Sequence, residues 1–221
     1  MTRRRKQVFP KIRLKVWGSS HTTNYRGVPS LLDALLLQIA RYQAAENNSD
    51  GGRIMCKAFV DAILYDIDAS VARDEPFVII ICLGTNNIRK EGQAGDILPF
   101  FEEIVNYIAN LQRIHIFICG MLPSPKHDST TSGINFSQAS SLLQNLCAEN
   151  SMKTTFINLG EVFTNNGIIK TEYFCRDEIH LTQCLCEDKS LCECTNLGAE
   201  LFAQTLFNAL QKLPKKKIEY N

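Results

Sequence analysis

The sequence predicts a three-layer α/β/α sandwich around a five-stranded parallel sheet, in a single domain. Three observations carry this expectation. Strand-like and helix-like segments alternate about five times, with no internal repeat and no linker between them. Phe77-Val78-Ile79-Ile80-Ile81-Cys82-Leu83 is continuous apolar sequence between Pro76 and Gly84, the pattern of a central strand covered on both faces. The length, 221 residues, is enough for one such domain with a full core and short for two.

The elements follow in order. Ile12, Leu14 and Val16 alternate with Arg13 and Lys15, which predicts a first strand with one exposed face. Pro29 and Ser30, with Asp33 three residues on, open a helix over Leu31 to Tyr42. Asn47 to Gly52 is a polar turn cluster. The apolar stretch Ile54 to Val60 predicts the second strand, and Ala62 to Ala72 the helix after it. After the Phe77 strand, Pro99 marks the start of a helix reaching Leu111, and Ile114 to Cys119 is a fourth strand. Leu122 to Gly133 is a long Pro/Ser/Thr loop placed to cover part of a site. Ser137 to Glu149, Thr154 to Leu159 and Leu197 to Leu213 then predict a helix, the fifth strand and the closing helix. Residues 11–214 form the domain, between a basic, flexible terminus over 1–10 and a basic tail over 215–221.

Composition narrows the class. Hydrophobic residues make up 45% and charged residues 21%, as in an ordinary globular chain. No apolar run approaches the roughly 20 residues that span a bilayer. Arg3 to Lys6 has the charge of a secretory signal, but no apolar stretch follows it. The expected compartment is therefore intracellular, cytoplasm or nucleus. The net charge is +1, yet Arg3 to Lys6 and Lys215 to Lys217 hold seven positive charges, leaving the body between them near −6. Any nucleic-acid contact through these termini is expected to be weak and made to phosphates alone.

Nine cysteines in a reducing compartment are expected as thiols or metal ligands. Cys82 and Cys119, within apolar strand runs, are expected as core residues. Cys184, Cys186, Cys192 and Cys194 differ, because two Cys-x-Cys pairs flank a five-residue polar turn. In a hairpin, residues two apart share a face, so four sulfurs could converge on a structural zinc. Two short disulfides or free thiols are the alternatives. No metal is expected to take part in catalysis.

Three short blocks suggest chemistry. Trp17-Gly18-Ser19-Ser20-His21-Thr22 follows the first strand, and Leu83-Gly84-Thr85-Asn86-Asn87 ends the most apolar one. Asp177-Glu178-Ile179-His180-Leu181-Thr182 precedes the last helix. A serine, a histidine and a carboxylate are the parts of an activated hydroxyl, and sites in parallel sheets form beyond the strands' carboxyl ends. Three-residue spacing lets a carboxylate reach the imidazole Nδ1–H and leave Nε2 for the serine. His21 is expected at the pocket mouth, His127 in solvent and His115 as a structural strand residue.

In content and order, these blocks resemble those of the SGNH (GDSL-type) hydrolases, whose fold is flavodoxin-like. Gly18-Ser19-Ser20 matches their Gly-Asp-Ser with Ser19 in the Asp place, and Gly84-Thr85-Asn86-Asn87 matches Gly-x-Asn-Asp with Asn87 in the Asp place. Asp177-x-x-His180 matches in full. The resemblance implies Ser20 as nucleophile, His180 as base and Asp177 as its orienting group. It also implies an oxyanion hole from the Ser20 N–H and the Asn86 amide, with Gly18 and Gly84 as supporting positions. It points to a serine esterase that removes a small acyl or acetyl group. The family also has a glycine after its second strand, and none lies near Phe59-Val60; Gly51 and Gly52 precede the expected strand. The alternative is a catalytically weak or inactive domain that binds RNA, as in the germ-plasm organiser Oskar, or an esterase domain of the retrotransposon-associated kind.

Overall fold

The computed structural model describes residues 13–18, 44–47, 56–89, 92–128, 130–176, 178–179, 181 and 197–213. The sheet strands are β1 (Arg13–Gly18), β2 (Ala44–Asn47), β3 (Phe77–Cys82), β4 (Ile114–Cys119) and β5 (Thr154–Ile157). They pair in the order β2-β1-β3-β4-β5, all parallel. The reversal of direction beside β1 makes a topological switch point, the place where such sheets open a crevice.

Helices α1 (Cys56–Val71), α2 (Thr85–Arg89), α3 (Leu98–Ile108), α4 (Thr131–Glu149), α5 (Leu159–Phe163) and α6 (Leu197–Lys212) surround the sheet. One face packs Ile79, Ile81, Ile116 and Ile118 against Ile63, Phe101 and Leu143 of α1, α3 and α4. The other packs Leu14, Val16, Val78, Ile80 and Phe117 against Phe163 of α5 and Phe202 and Leu206 of α6. Both faces of β3 and β4 are therefore dry, which is why those strands read as unbroken apolar runs.

Several expectations are corrected. Ile54 to Val60 is not the second strand. Cys56 onward is α1, whose Phe59, Ile63 and Ile67 recur every four residues and lie on the core face. The second strand is Ala44–Asn47, held by pairing with β1 from Arg13 opposite Ala44 to Val16 opposite Asn47. Gly51 and Gly52 thus follow the second strand in chain order rather than preceding it. The helix expected from Ser137 starts at Thr131, where Thr130 caps it by accepting from the Gly133 N–H. The expected helix over Leu31 to Tyr42 lies outside the described residues.

Lys15 is a further correction. β1 is an inner strand, so the side chain expected on an exposed face is buried, with its Nζ 2.5 Å from Asp66 Oδ2 of α1. Its ammonium also lies 5.0 Å from the Trp17 ring centroid.

Beyond α5 the chain makes a hairpin of β6 (Thr164–Asn165) and β7 (Ile168–Ile169). Asn166 and Gly167 form its turn, both at positive φ, the geometry that asparagine and glycine tolerate. No helix among the described residues is long and apolar enough to cross a membrane.

Candidate active site

The register of β1 on β3 sets Gly18 opposite Cys82. The strands that precede Ser19-Ser20 and Gly84-Thr85-Asn86 in sequence therefore end side by side at the carboxyl edge of the sheet. Ser19, Ser20 and His21 themselves lie outside the described residues.

Gly84 is held in place by two constraints. Its φ of +115° is a conformation that side-chain-bearing residues rarely adopt. A Cβ there would also lie 3.0 Å from Met121 Cε and 3.2 Å from Ile97 Cδ1. Its carbonyl accepts from the Asn87 N–H at 3.0 Å and the Ile88 N–H at 3.2 Å, which turns the chain into α2. Asn86 is half-buried in that first turn, whereas Asn87 is buried. The glycine thus sets where the Asn86 amide starts.

The third block belongs to a loop tied down at several points. Phe174 and Leu181 form an antiparallel bridge, and both side chains are buried. Phe174 packs edge-on to Phe163, which meets Phe202 in the same way, with centroids 5.9 and 6.5 Å apart. Between the bridge residues, Glu178 has a φ of +58° and its N–H donates to the Cys175 carbonyl at 2.8 Å. The Glu178 carbonyl accepts from the Ser124 hydroxyl at 2.8 Å. Asp177 and His180 lie outside the described residues, but their immediate neighbours in sequence are fastened to the core and to Ser124.

Ser124 was not singled out by sequence, since Leu122-Pro123-Ser124-Pro125 reads only as a loop. The start of that loop is a clamp on the Glu178 segment rather than a free cover. His127, expected in solvent, is half-buried and edge-on to Phe136 at 6.0 Å. His115 is structural, fully buried with Nε2 2.8 Å from Thr155 Oγ1.

Cys119 is buried as expected, but Cys82 is only half-buried, and their sulfurs lie 3.2 Å apart on neighbouring strands. Burial, followed by the Cys82 contact, pushes the Cys119 thiol well above the usual range. It is therefore an inert thiol at neutral pH. Cys184, Cys186, Cys192 and Cys194 lie outside the described residues. Among the described residues no group of three or more His, Cys, Asp or Glu side chains is placed to hold a metal ion.

Beside this edge is a cleft of about 340 Å³. Met121, Ser124, Phe136, Phe156, Asn158 and residues of the β6–β7 hairpin are among those that line it. The sequence signal for the hairpin is Asn166-Gly167, a strong short turn pattern.

Comparison with known proteins agrees with this architecture. No family model and no curated protein matches the chain. Solved structures do match. A lipolytic protein of the G-D-S-L family from Veillonella parvula is 14% identical with a TM-score of 0.67, covering 91% of this chain and 100% of its own. The lipase/acylhydrolase from Enterococcus faecalis is 13% identical with a TM-score of 0.63, over 95% of this chain and 98% of its own. The acetyl xylan esterase AlAXEase is 14% identical with a TM-score of 0.63, over 90% and 99%. The chain has the fold of the SGNH (GDSL-type) hydrolases.

Proposed function

We propose that the protein is a carboxylic ester hydrolase of the SGNH type, acting through an acyl-enzyme on Ser20. The observation that carries this is the β1–β3 register. Gly18, which begins the serine block, stands beside Cys82, two residues before Gly84, and this supports a serine block and a Gly84-Thr85-Asn86 block at one edge of the sheet. The pinning of the Phe174–Leu181 loop by Ser124 supports it from the third block.

In this scheme His180 Nε2 takes the Ser20 proton as the hydroxyl oxygen attacks the ester carbonyl carbon. Asp177 holds the Nδ1–H and stabilises the imidazolium that forms. Negative charge gathers on the carbonyl oxygen, where the Ser20 backbone N–H and the Asn86 side-chain amide donate to it. The tetrahedral adduct collapses, and the alcohol leaves with the proton from His180. A water, deprotonated by His180, then attacks the acyl-enzyme, releases the acid and returns the proton to Ser20. Gly51 and Gly52, which follow β2, are placed in sequence to supply a third donor and repair the apparent gap in the motif set. Cys184, Cys186, Cys192 and Cys194 are kept as a proposed zinc clip outside this chemistry.

The test uses the full chain. It should hydrolyse p-nitrophenyl acetate, and a fluorophosphonate should label Ser20. Ser20→Ala should abolish labelling and lower kcat by about 10⁴-fold or more. If wild type shows neither turnover nor labelling at neutral pH, the binding-module reading takes its place.

A further inference from the structure

Two thiols meet where β3 and β4 end. The pairing of these strands sets Ile81 opposite Ile118, and one step further along them lie Cys82 and Cys119. Both side chains belong to the face of the sheet that packs on α5 and α6. The Cys82 thiol donates to the Cys119 sulfur at 3.2 Å. Neighbouring strands run about 4.8 Å apart, and a disulfide joins Cα atoms about 4.4 to 6.8 Å apart, so adjacent strands already stand at a bridging distance. Among the described residues, Cys147 packs on the opposite face of the sheet, and the Cys175 thiol donates to the Leu181 carbonyl.

The two sulfurs differ in access. Cys119 is buried, whereas Cys82 is half-buried. Cys82 also lines a cavity of about 20 Å³, with Thr85, Leu122 and Phe202 among its walls. That volume admits a molecule little larger than water, which is the size of hydrogen peroxide. An oxidant therefore meets Cys82 first, and Cys119 reacts only from inside.

Position gives the pair a consequence. Cys82 lies two residues before Gly84, whose turn leads into α2 and Asn86. Cys119 lies two residues before Met121, and the two strand ends are close: a Cβ on Gly84 would stand 3.0 Å from Met121 Cε. Met121 is anchored to α4, its N–H donating to Ser140 Oγ at 2.8 Å. Bonded sulfurs lie about 2 Å apart, so closing the pair draws the sulfurs together by about 1 Å. With Met121 anchored, the end of β3 is the part that yields.

We propose that Cys82 and Cys119 are a redox pair, closed to a disulfide by hydrogen peroxide, and that closure moves the Gly84-Thr85-Asn86 turn. The Cys82 sulfur attacks one peroxide oxygen. An S–O bond forms, the O–O bond breaks, and hydroxide leaves with the thiol proton as water. The Cys119 sulfur then attacks the Cys82 sulfur. The S–S bond forms, the S–O bond breaks, and the departing hydroxide takes the Cys119 proton as a second water. The two thiols lose two electrons and the peroxide gains them, and a dithiol reverses the step by exchange. The effect on rate rests on the esterase reading above; the cross-link and the movement do not.

The test treats the reduced full chain with peroxide, alkylates it and digests it with trypsin. Cys82 and Cys119 fall in separate peptides, 74–89 and 114–126, neither of which has another cysteine. The two should be recovered joined, and dithiothreitol should separate them. Cys119→Ala should leave Cys82 as a sulfenic acid that dimedone traps. Amide NMR signals of Gly84 and Asn86 should shift on oxidation and return on reduction, and should stay fixed in Cys82→Ala. In oxidised wild type, kcat for p-nitrophenyl acetate should fall at least about tenfold, since a misplacement of about 1 Å at a catalytic donor can cost about 10²-fold. Cys82→Ala should keep its rate under peroxide. Recovery of the two peptides separate and alkylated overturns the pair. Joined peptides with unmoved Gly84 and Asn86 signals overturn the switch. Joined peptides with shifted signals support the proposal even in a chain that hydrolyses no ester, a result that sinks the esterase reading alone.

Discussion

The interior and the carboxyl edge of the same sheet both hold polar groups, and they use them in opposite ways. Inside, Lys15 and Asp66 are 5% and 10% exposed and face each other across the β1–α1 interface. The pair satisfies itself and has no access to a ligand, so its effect is on whether α1 docks on β1 in one arrangement. At the edge, Gly18, Asn86 and Ser124 stand where the strands end, and the Ser124 hydroxyl holds the backbone of the Glu178 segment rather than a buried charge. The contrast teaches that a charge in this chain is informative only with its depth. Alternation marked Lys15 as a surface residue, although it lies in the middle of an inner strand.

The largest expected effect breaks the interior half of that comparison. Lys15→Met leaves the Asp66 carboxylate buried without its cation, which should cost about 3 to 5 kcal/mol in chemical denaturation. Lys15→Met/Asp66→Leu removes both charges and should recover most of that loss. Activity per folded molecule should be unaffected in both. If the double variant is no more stable than the single one, the pair is not an isolated buried unit.

Asn86→Ala tests the edge. Its amide is half-buried at the start of α2, so truncation should leave the thermal midpoint nearly unchanged. On the proposed mechanism it removes one oxyanion donor, and kcat should drop by about 10²- to 10³-fold with KM little altered. Equal losses in stability and activity would instead make Asn86 a structural turn residue. The two variants thus swap which quantity falls, stability in one and rate in the other.

Sequence legibility followed the same division. β3 and β4 read correctly to within a residue because both faces are buried, so no polar position interrupts them. β2 did not. Ala44-Ala45-Glu46-Asn47 has no β-forming residue, and it is a strand because β1 offers it an edge. Ile54 to Val60 was misread for the converse reason, since its apolar residues are good strand formers while the spacing from Phe59 to Ile67 is helical. The sequence offered the motif residues as types and order, because catalytic chemistry restricts which side chains can serve; of them Gly18, Gly84 and Asn86 are described, whereas Ser20, Asp177 and His180 lie outside the described residues. The cleft was not, because Ser137, Ser141 and Gln144 are ordinary helix-surface residues until β5 and the β6–β7 hairpin close opposite them.

The smallest expected effect returns to the interior and is read by pH. Burial pushes the Cys147 thiol up to about 11 from an ordinary 9.0, with a hydrogen bond from Thr154 partly opposing it. The folded chain therefore holds this proton more tightly than the unfolded chain does. Below pH 9 both states keep it and the linkage is silent. Between about 9 and 11 the unfolded chain releases it while the folded chain does not, so stability must fall as pH rises. At about 1.4 kcal/mol per unit, the total is on the order of 3 kcal/mol at most. Cys119, raised in the same direction by its own burial, adds to the slope. Denaturant midpoints followed across that range should decline more steeply in wild type than in Cys147→Ala, whose own cavity cost is the same at every pH. Parallel curves would mean that the Cys147 site is wet enough to titrate normally, and the dry interior would then end short of α4.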